Sequence, residues 1–344
     1  MINVYNNNYE RVGFIESYSY LSWVRRYSDV GEFELKCAPE NLPLLSIGNI
    51  LTKLNDNEGA VIETLNIETE EQETVTVRGR FLSALLESRI VWGTESLSGD
   101  IGSCVFQLIN NNATNPPDED RAIPNLKYEN INIGKNLGMQ VSYDNLLETV
   151  VKICSSAEAG IKGVLNPAKG ITLLLYNGRE LPFVFSREFE NLLSQNYTDS
   201  IRDCANVALI AGEGEGIERK LAVTGGETGL SRKEVFVDAR DLRLADYEND
   251  DKYIEALKLK GRIKMYEKRR RESFDAAVNT NGNLIYREDF DLGDIVTVKS
   301  SLLGISARLR ITEIAETYDS DGFHVDVVFG NPLPLLKESL KGVV

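Results

Sequence analysis

Apolar and polar residues alternate at period two toward both ends of the chain. Leu21, Trp23 and Arg25 share one side of a run whose other side is Ser22, Val24 and Arg26. After Asp29-Val30-Gly31 the run Phe33–Cys37 alternates again. That period predicts half-buried strands. Ala60–Ile67 and Thr74–Val77 add two more across the acidic turn Glu68–Glu73, and Phe81–Glu87 predicts a short helical turn. Near the other end, Tyr286–Pro332 predicts at least three short strands. Phe323, Val325, Val327 and Phe329 fall on one face there. On the preceding strand Leu309 and Ile311 share a face, with Arg308 and Arg310 opposite. Between the two runs lies Asp319-Ser320-Asp321-Gly322, whose glycine supplies the positive φ of a hairpin.

The middle of the chain is mixed. Ile101, Val105 and Leu108 predict a helix over Asp100–Asn112, ended by Asn110-Asn111-Asn112. Asn115–Asp120 is a loop, since neither Pro116 nor Pro117 suits a helix interior. Leu146, Leu147, Val150, Val151, Cys154 and Ala157 form the stripe of a second helix, with Ser142 as its expected N-cap. Ile171–Tyr176 predicts a buried strand, and Leu181–Phe185 another, placed at an edge by Pro182. Asn206–Ala211, Ile217–Thr224 and Lys233–Val237 predict strands joined by glycine-rich turns. A long helix is expected over Asp250–Val278, with Ala256, Leu259, Ile263, Tyr266, Phe274 and Ala277 on one face and Arg270 interrupting it.

Composition narrows the function. The 344 residues carry a formal charge of −15, which opposes a phosphate-binding surface. The four cysteines, Cys37, Cys104, Cys154 and Cys204, are far apart, and buried free thiols are expected. No positively charged segment followed by an apolar one opens the chain, and no apolar run reaches the roughly 18 residues of a membrane span. Synthesis in a cytoplasm is expected.

Catalytic signatures are sparse. The single histidine, His324, would have to serve any Ser-His-Asp or Cys-His mechanism, and its neighbours carry no such motif. A surface strand histidine is the simpler reading. One histidine also excludes HExxH, and His/Cys zinc spacing is absent. Gly212-Glu213-Gly214-Glu215-Gly216 and Gly225-Gly226-Glu227-Thr228-Gly229 lack the GK[ST] of a phosphate loop, and read as hairpin turns. Asp319-Ser320-Asp321-Gly322 opens like a calcium loop but lacks the later ligands. Lys268-Arg269-Arg270-Arg271 is the one basic cluster; its acidic surroundings favour an ion-pair or intersubunit face over nucleic-acid contact. Among fifty-three acids, sequence alone cannot find a hydrolytic pair. No catalytic, cofactor-binding or metal-binding residue is therefore named, and no cofactor is expected.

Several segments together resemble the tail-tip hub proteins of siphophages and prophages of Gram-positive bacteria. That family is related to the N-terminal part of tail-associated lysins and to the baseplate hub of contractile tails. The segments are Trp23–Tyr27 with Val30–Leu35, Gly79–Leu82 with Leu85–Arg89, Arg121–Leu126, Gly229–Asp241, Leu292–Val298 and Val327–Pro332. Gly229–Asp241 is the most specific of them, with its Gly-Leu-x-Arg-x-Glu before Asp-Ala-Arg. The order of the segments spans almost the whole chain.

The resemblance implies a β-rich α+β fold with two β-barrel-like domains and α+β insertions. Residues 1–95 would form the first barrel-like domain and 96–200 an α+β domain. Residues 201–245 and 284–335 would form the second, with a helical insertion at 246–283. It further implies a homotrimeric ring with pseudo-sixfold symmetry at the virion tail tip. Such a hub would surround the DNA exit path and link the distal tail ring protein, with the tail tube or tape measure, to tip or fibre proteins. It would bind no nucleic acid stably, span no membrane and catalyse nothing. The rival readings are a carboxylate-dependent peptidoglycan hydrolase and a carbohydrate-binding receptor module.

Overall fold

In the computed structural model, which describes residues 1–69, 73–302 and 304–330, the two β-rich blocks meet in one sheet of thirteen strands. Residues 70–72 of the acidic turn and 331–335 at the end of the second block lie outside the described residues. From one edge the order is Asn196–Ser200, Arg271–Val278, Gly322–Gly330, Ile305–Asp319, Tyr20–Arg26, Glu32–Cys37, Glu73–Phe81, Gly59–Thr69, Ile50–Lys53, Ile2–Tyr5 and Arg11–Ile15. Ile305–Asp319 is long enough to pair twice along one side. Its later part runs antiparallel to Tyr20–Arg26, and its earlier part to Ile295–Ser300. Glu180–Phe185 joins Ile295–Ser300 in parallel at an edge, with its ladder irregular around Pro182.

The β-rich α+β class holds, but no closed barrel forms among the described residues. A strand has two edges to pair. Tyr20–Arg26 uses one on Glu32–Cys37 and the other on the C-terminal block, so the two blocks become halves of an open sheet.

Each half has its own core. The N-terminal one is centred on Trp23, whose ring meets Phe81 at 4.9 Å and Phe33 at 5.7 Å. It continues into the two helices and strands of residues 97–175. The C-terminal core gathers Phe185, Phe274, Phe290 and the inner face of the last strand. Val325, Val327 and Phe329 are at most 1% exposed there, each burial contributing about 1.5–3 kcal/mol. The strands Val207–Ala211, Leu221–Thr224 and Glu234–Asp238 pair among themselves, in a three-stranded sheet backed by the helix Asp250–Glu267.

Three local expectations change. The first helix, Ile101–Ile109, does not stop at its asparagines but runs on as a π-helical turn, Asn110–Thr114. The second, Leu146–Ala157, is capped by Asn145, whose side chain accepts from the Glu148 N–H; Ser142 lies in the strand Asn136–Ser142. The third ends at Glu267, and Arg271–Val278 is a strand between Asn196–Ser200 and Gly322–Gly330. The buried side of that helix is Tyr253, Leu257 and Gly261, not the row Ala256, Leu259, Ile263.

Candidate functional site: a buried ionic junction and two exposed faces

Period-two pairing aims two charges into the seam between the halves. Arg25 lies opposite Ile314, and Trp23 opposite Glu316, so both charges leave the same inner face. Arg25 is 5% exposed and Glu316 1%. The Arg25 Nε donates to Glu58 at 2.7 Å, and its Nη1 to Asp291 at 2.6 Å and the Tyr286 hydroxyl at 3.0 Å. That hydroxyl donates to Glu316 at 2.9 Å. Lys53 pairs with the other Glu316 oxygen, and Arg287 bridges Glu316 at 3.1 Å and Asp56 at 2.9 Å. Lys53, Asp56 and Glu58 come from the N-terminal turn, and Tyr286, Arg287 and Asp291 from the segment before Ile295. The network therefore fastens one half to the other.

Burial and neighbouring charge oppose one another here: at Glu316, Asp291 and Arg25 the neighbours win, whereas at Lys53 burial wins and lowers the ammonium despite Glu316. Burial pushes the Glu316 carboxyl up, but Lys53 and Arg287 hold it below the usual carboxylate range. Arg25 does the same for Asp291. Arg25 itself is raised, with Glu58, Tyr286 and Asp291 overcoming its desolvation. A network of this kind fixes the geometry of the seam.

Two of the segments that carried the resemblance, Leu292–Val298 and Gly229–Asp241, hold joints of the fold. Leu292 is buried, Gly293 takes φ +93° against the Tyr27 ring, and the Asp294 carboxylate accepts from the Arg179 and Asp291 N–H groups at 2.7 and 2.9 Å. In Gly229–Asp241, Asp238 takes Arg240 and Arg219, Ala239 is buried, and Asp241 reaches Lys260 on the helix at 2.7 Å.

Other candidate groups are occupied. His324 is exposed, 3.5 Å from Asp319. In the first glycine-rich turn the Glu213 N–H donates to the Tyr253 hydroxyl at 2.7 Å, where a phosphate loop would need it free. Asp319 accepts from the Asp321 N–H at 2.9 Å within the hairpin turn, whose Gly322 has φ +116°. All four cysteines are free thiols; Cys154 is pushed up to about 12 by burial. Among the described residues no group of three or more His, Cys, Asp or Glu side chains could hold a metal ion. None of the helices described is long and apolar enough to cross a membrane.

Lys268–Arg271 lies at the junction of helix and strand rather than on the helix. The Arg270 Nε donates to Asp199 at 2.6 Å, and the Arg269 guanidinium stacks 3.8 Å from the Tyr266 ring centre. Arg269 and Arg271 face a cleft of about 860 Å³ that also takes in Lys152, Glu158, Asp275 and Arg310, so both signs of charge line it. Of the cleft acids, burial raises Asp275, which accepts from Asn196 at 3.4 Å.

A different surface is apolar. In the three-stranded sheet, Val223, Leu209 and Phe236 lie side by side on the side away from the helix, 51%, 40% and 57% exposed. Leu221, Ile217 and Leu230 of the same unit are also exposed.

The whole architecture recurs in solved phage tail proteins. A tail protein from Neisseria meningitidis MC58 matches with TM-score 0.61 and 12% identity, over 96% of this chain and 96% of its own. The 43 kDa tail protein of prophage MuSo2 from Shewanella oneidensis matches with TM-score 0.64 and 10% identity, over 95% and 97%. Prophage tail protein gp18 from Listeria monocytogenes EGD-e matches with TM-score 0.56 and 12% identity, over 99% and 98%. At such identities the likeness is one of fold. No curated protein matches the chain. Residues 1–331 match the family of Siphovirus ReqiPepy6 Gp37-like proteins, and the chain belongs to that family. The resemblance to phage tail proteins read from the order of the segments holds at that level.

Proposed function

We propose that the chain is a non-enzymatic structural hub at the virion tail tip. It assembles as a homotrimeric ring around the DNA exit path, between the distal tail ring and the tip or fibre proteins. The observation that carries this is the fusion of two β halves, each with its own core, into one sheet locked by a buried ionic seam. A subunit built this way presents two β faces at a fixed angle, as a threefold ring meeting a sixfold tail requires. The apolar row Val223, Leu209 and Phe236 suits a neighbour's surface, since Phe and large aliphatics anchor protein contacts. The family and the tail-protein fold support the same reading. The acidic balance lets DNA pass without retention.

The deciding measurement is copy number in assembled particles, by quantitative mass spectrometry or symmetry analysis of tail images. A multiple of three is expected; any other number overturns the trimeric ring. Cell walls incubated with the purified chain should release no muropeptides beyond a heat-inactivated control, and release abolished by one Asp or Glu substitution would establish the hydrolase instead.

A further inference from the structure

We propose that the pocket beside Trp92 binds a saccharide, stacking a pyranose ring on the indole. The chain has two tryptophans: Trp23 is wholly buried, whereas Trp92 is 60% exposed. The Arg121 guanidinium lies over one face of the Trp92 ring, 4.4 Å from its centre, and is itself tied to the Ile90 carbonyl at 2.7 Å. The ring is thus held in place while most of its surface meets water. It borders a pocket of about 520 Å³, within the range of small-ligand sites, whose other walls are Glu95, Asn111, Asn112, Pro117, Asp118 and Arg121.

The wall is built rather than incidental. The π-helical turn Asn110–Thr114 carries Asn111 and Asn112, and such turns concentrate at functional sites. Asn112 is 1% exposed and spends its amide on structure. Its oxygen accepts from the Trp92 backbone N–H at 2.9 Å, and its nitrogen donates to Glu95 at 2.6 Å and the Leu108 carbonyl at 2.9 Å. Glu95 also accepts from Gln107 at 3.1 Å and Asn111 at 3.0 Å, so its carboxylate is fixed while spare lone pairs remain. On the adjoining segment Tyr143, 67% exposed, holds the left-handed φ of +56° and donates its N–H to the Gly93 carbonyl at 3.2 Å.

The chemistry selects the ligand. A pyranose offers a face of C–H groups, weakly positive, to the electron-rich face of an indole. Its hydroxyls, each donor and acceptor, match a fixed carboxylate, an amide and a guanidinium. An anion would meet Glu95 and Asp118 against the lone cation Arg121. An apolar side chain would leave the polar wall without partners, at a cost. Because the wall is already ordered, little is lost in freezing it on binding.

Trp fluorescence of the full chain tests this, with buried Trp23 as a constant background. The probes are methyl glucoside, galactose, mannose, rhamnose, N-acetylglucosamine and its linear trimer, each to about 10 mM, near the weak end of specific affinities. At least one should give a saturable shift in emission. Glu95→Gln should weaken it about tenfold; Trp92→Ala removes the reporter itself, so that variant is titrated by calorimetry, where the saturable heat given by the native chain should be lost. Should Trp92→Ala fold poorly, Asn111→Ala supplies the second wall variant, with the same expected loss. No saturable response from any probe overturns the proposal. So does a saturable heat that survives Trp92→Ala, or a Trp92→Ala variant whose one defect is particle assembly, which would make the pocket a protein contact.

Discussion

Replacing Arg25 by Met should cost about 3 kcal/mol of stability. Arg25 and Glu58 have side chains 6% and 11% exposed, so the variant strands a buried carboxylate in a seam closed to water. Breaking one side of such a pair costs about 3–5 kcal/mol, mostly as the penalty of the charge left behind. Asp291 is 39% exposed and regains hydration when freed, which favours the lower end of the range. With an unfolding entropy of about 2 cal/mol/K per residue over 344 residues, that is a fall of roughly 4 °C in thermal midpoint. Arg78→Ala is the control: its pair with Glu34 is half exposed, and a loss below about 1 kcal/mol is expected. Arg25→Met with Glu58→Leu should recover much of the loss, because no charge is stranded. Calorimetry or circular dichroism melting of all four proteins decides it. A single variant within about 0.5 kcal/mol of the parent, or a double variant no better than the single, would refute the seam's role.

Three further outcomes are expected. Asp291 and Glu316 are held below their ordinary range, against their burial, by Arg25 and by Lys53 with Arg287 respectively; their stabilisation is complete above the unfolded values near pH 4 and vanishes as pH falls through the folded ones. The thermal midpoint should therefore drop steeply only below about pH 4, and Glu316→Gln should flatten that drop; a decline confined to pH 5–7 contradicts it. Gly79→Ala would set a Cβ 1.7 Å from the Val61 carbonyl oxygen and 2.9 Å from the Phe33 ring, costing about 1–3 kcal/mol by denaturant titration, whereas Gly226→Ala, with open space around it, should be silent. Native protein should shift no duplex DNA in gels near physiological salt; binding that falls with salt and is lost in Arg269→Ser, Arg270→Ser, Arg271→Ser would make Lys268–Arg271 a nucleic-acid contact.

Local pattern carried the strands well, because their inner faces are decided within a few residues. Leu21 and Trp23, and Val325, Val327 and Phe329, are buried at the parity their spacing predicts. Pattern failed where two periods overlap. Phe274 belongs both to a helical row with Ile263 and Tyr266 and to the period-two set Phe274, Ala276, Val278. Nothing between Glu267 and Arg271 breaks a helix, so the helical reading ran on. Pairing with Gly322–Gly330, some fifty residues away, settled it. On the same helix Gly261 counts against helicity, yet it is where the helix touches its sheet: a Cβ there would lie 2.5 Å from Ile210.

The seam was half legible. Arg25 shares its parity with Leu21 and Trp23, so a strand with that face inward must bury a guanidinium, and a buried charge needs a partner. The same reasoning applies to Glu316, which shares its parity with Ile314 and Tyr318. What the chain could not reveal was the pairing, since Arg25 finds Asp291 across 266 positions and Lys53 finds Glu316 across 263. Fifty-three acids compete for any one arginine, and only the register of Tyr20–Arg26 on Glu313–Tyr318 chooses among them. Trp92 presents the opposite difficulty. Next to Ile90 and Val91 it reads as another core residue, and the sign that it faces water lies twenty residues on: the π-turn asparagine Asn112 that takes its backbone N–H, leaving the ring outside.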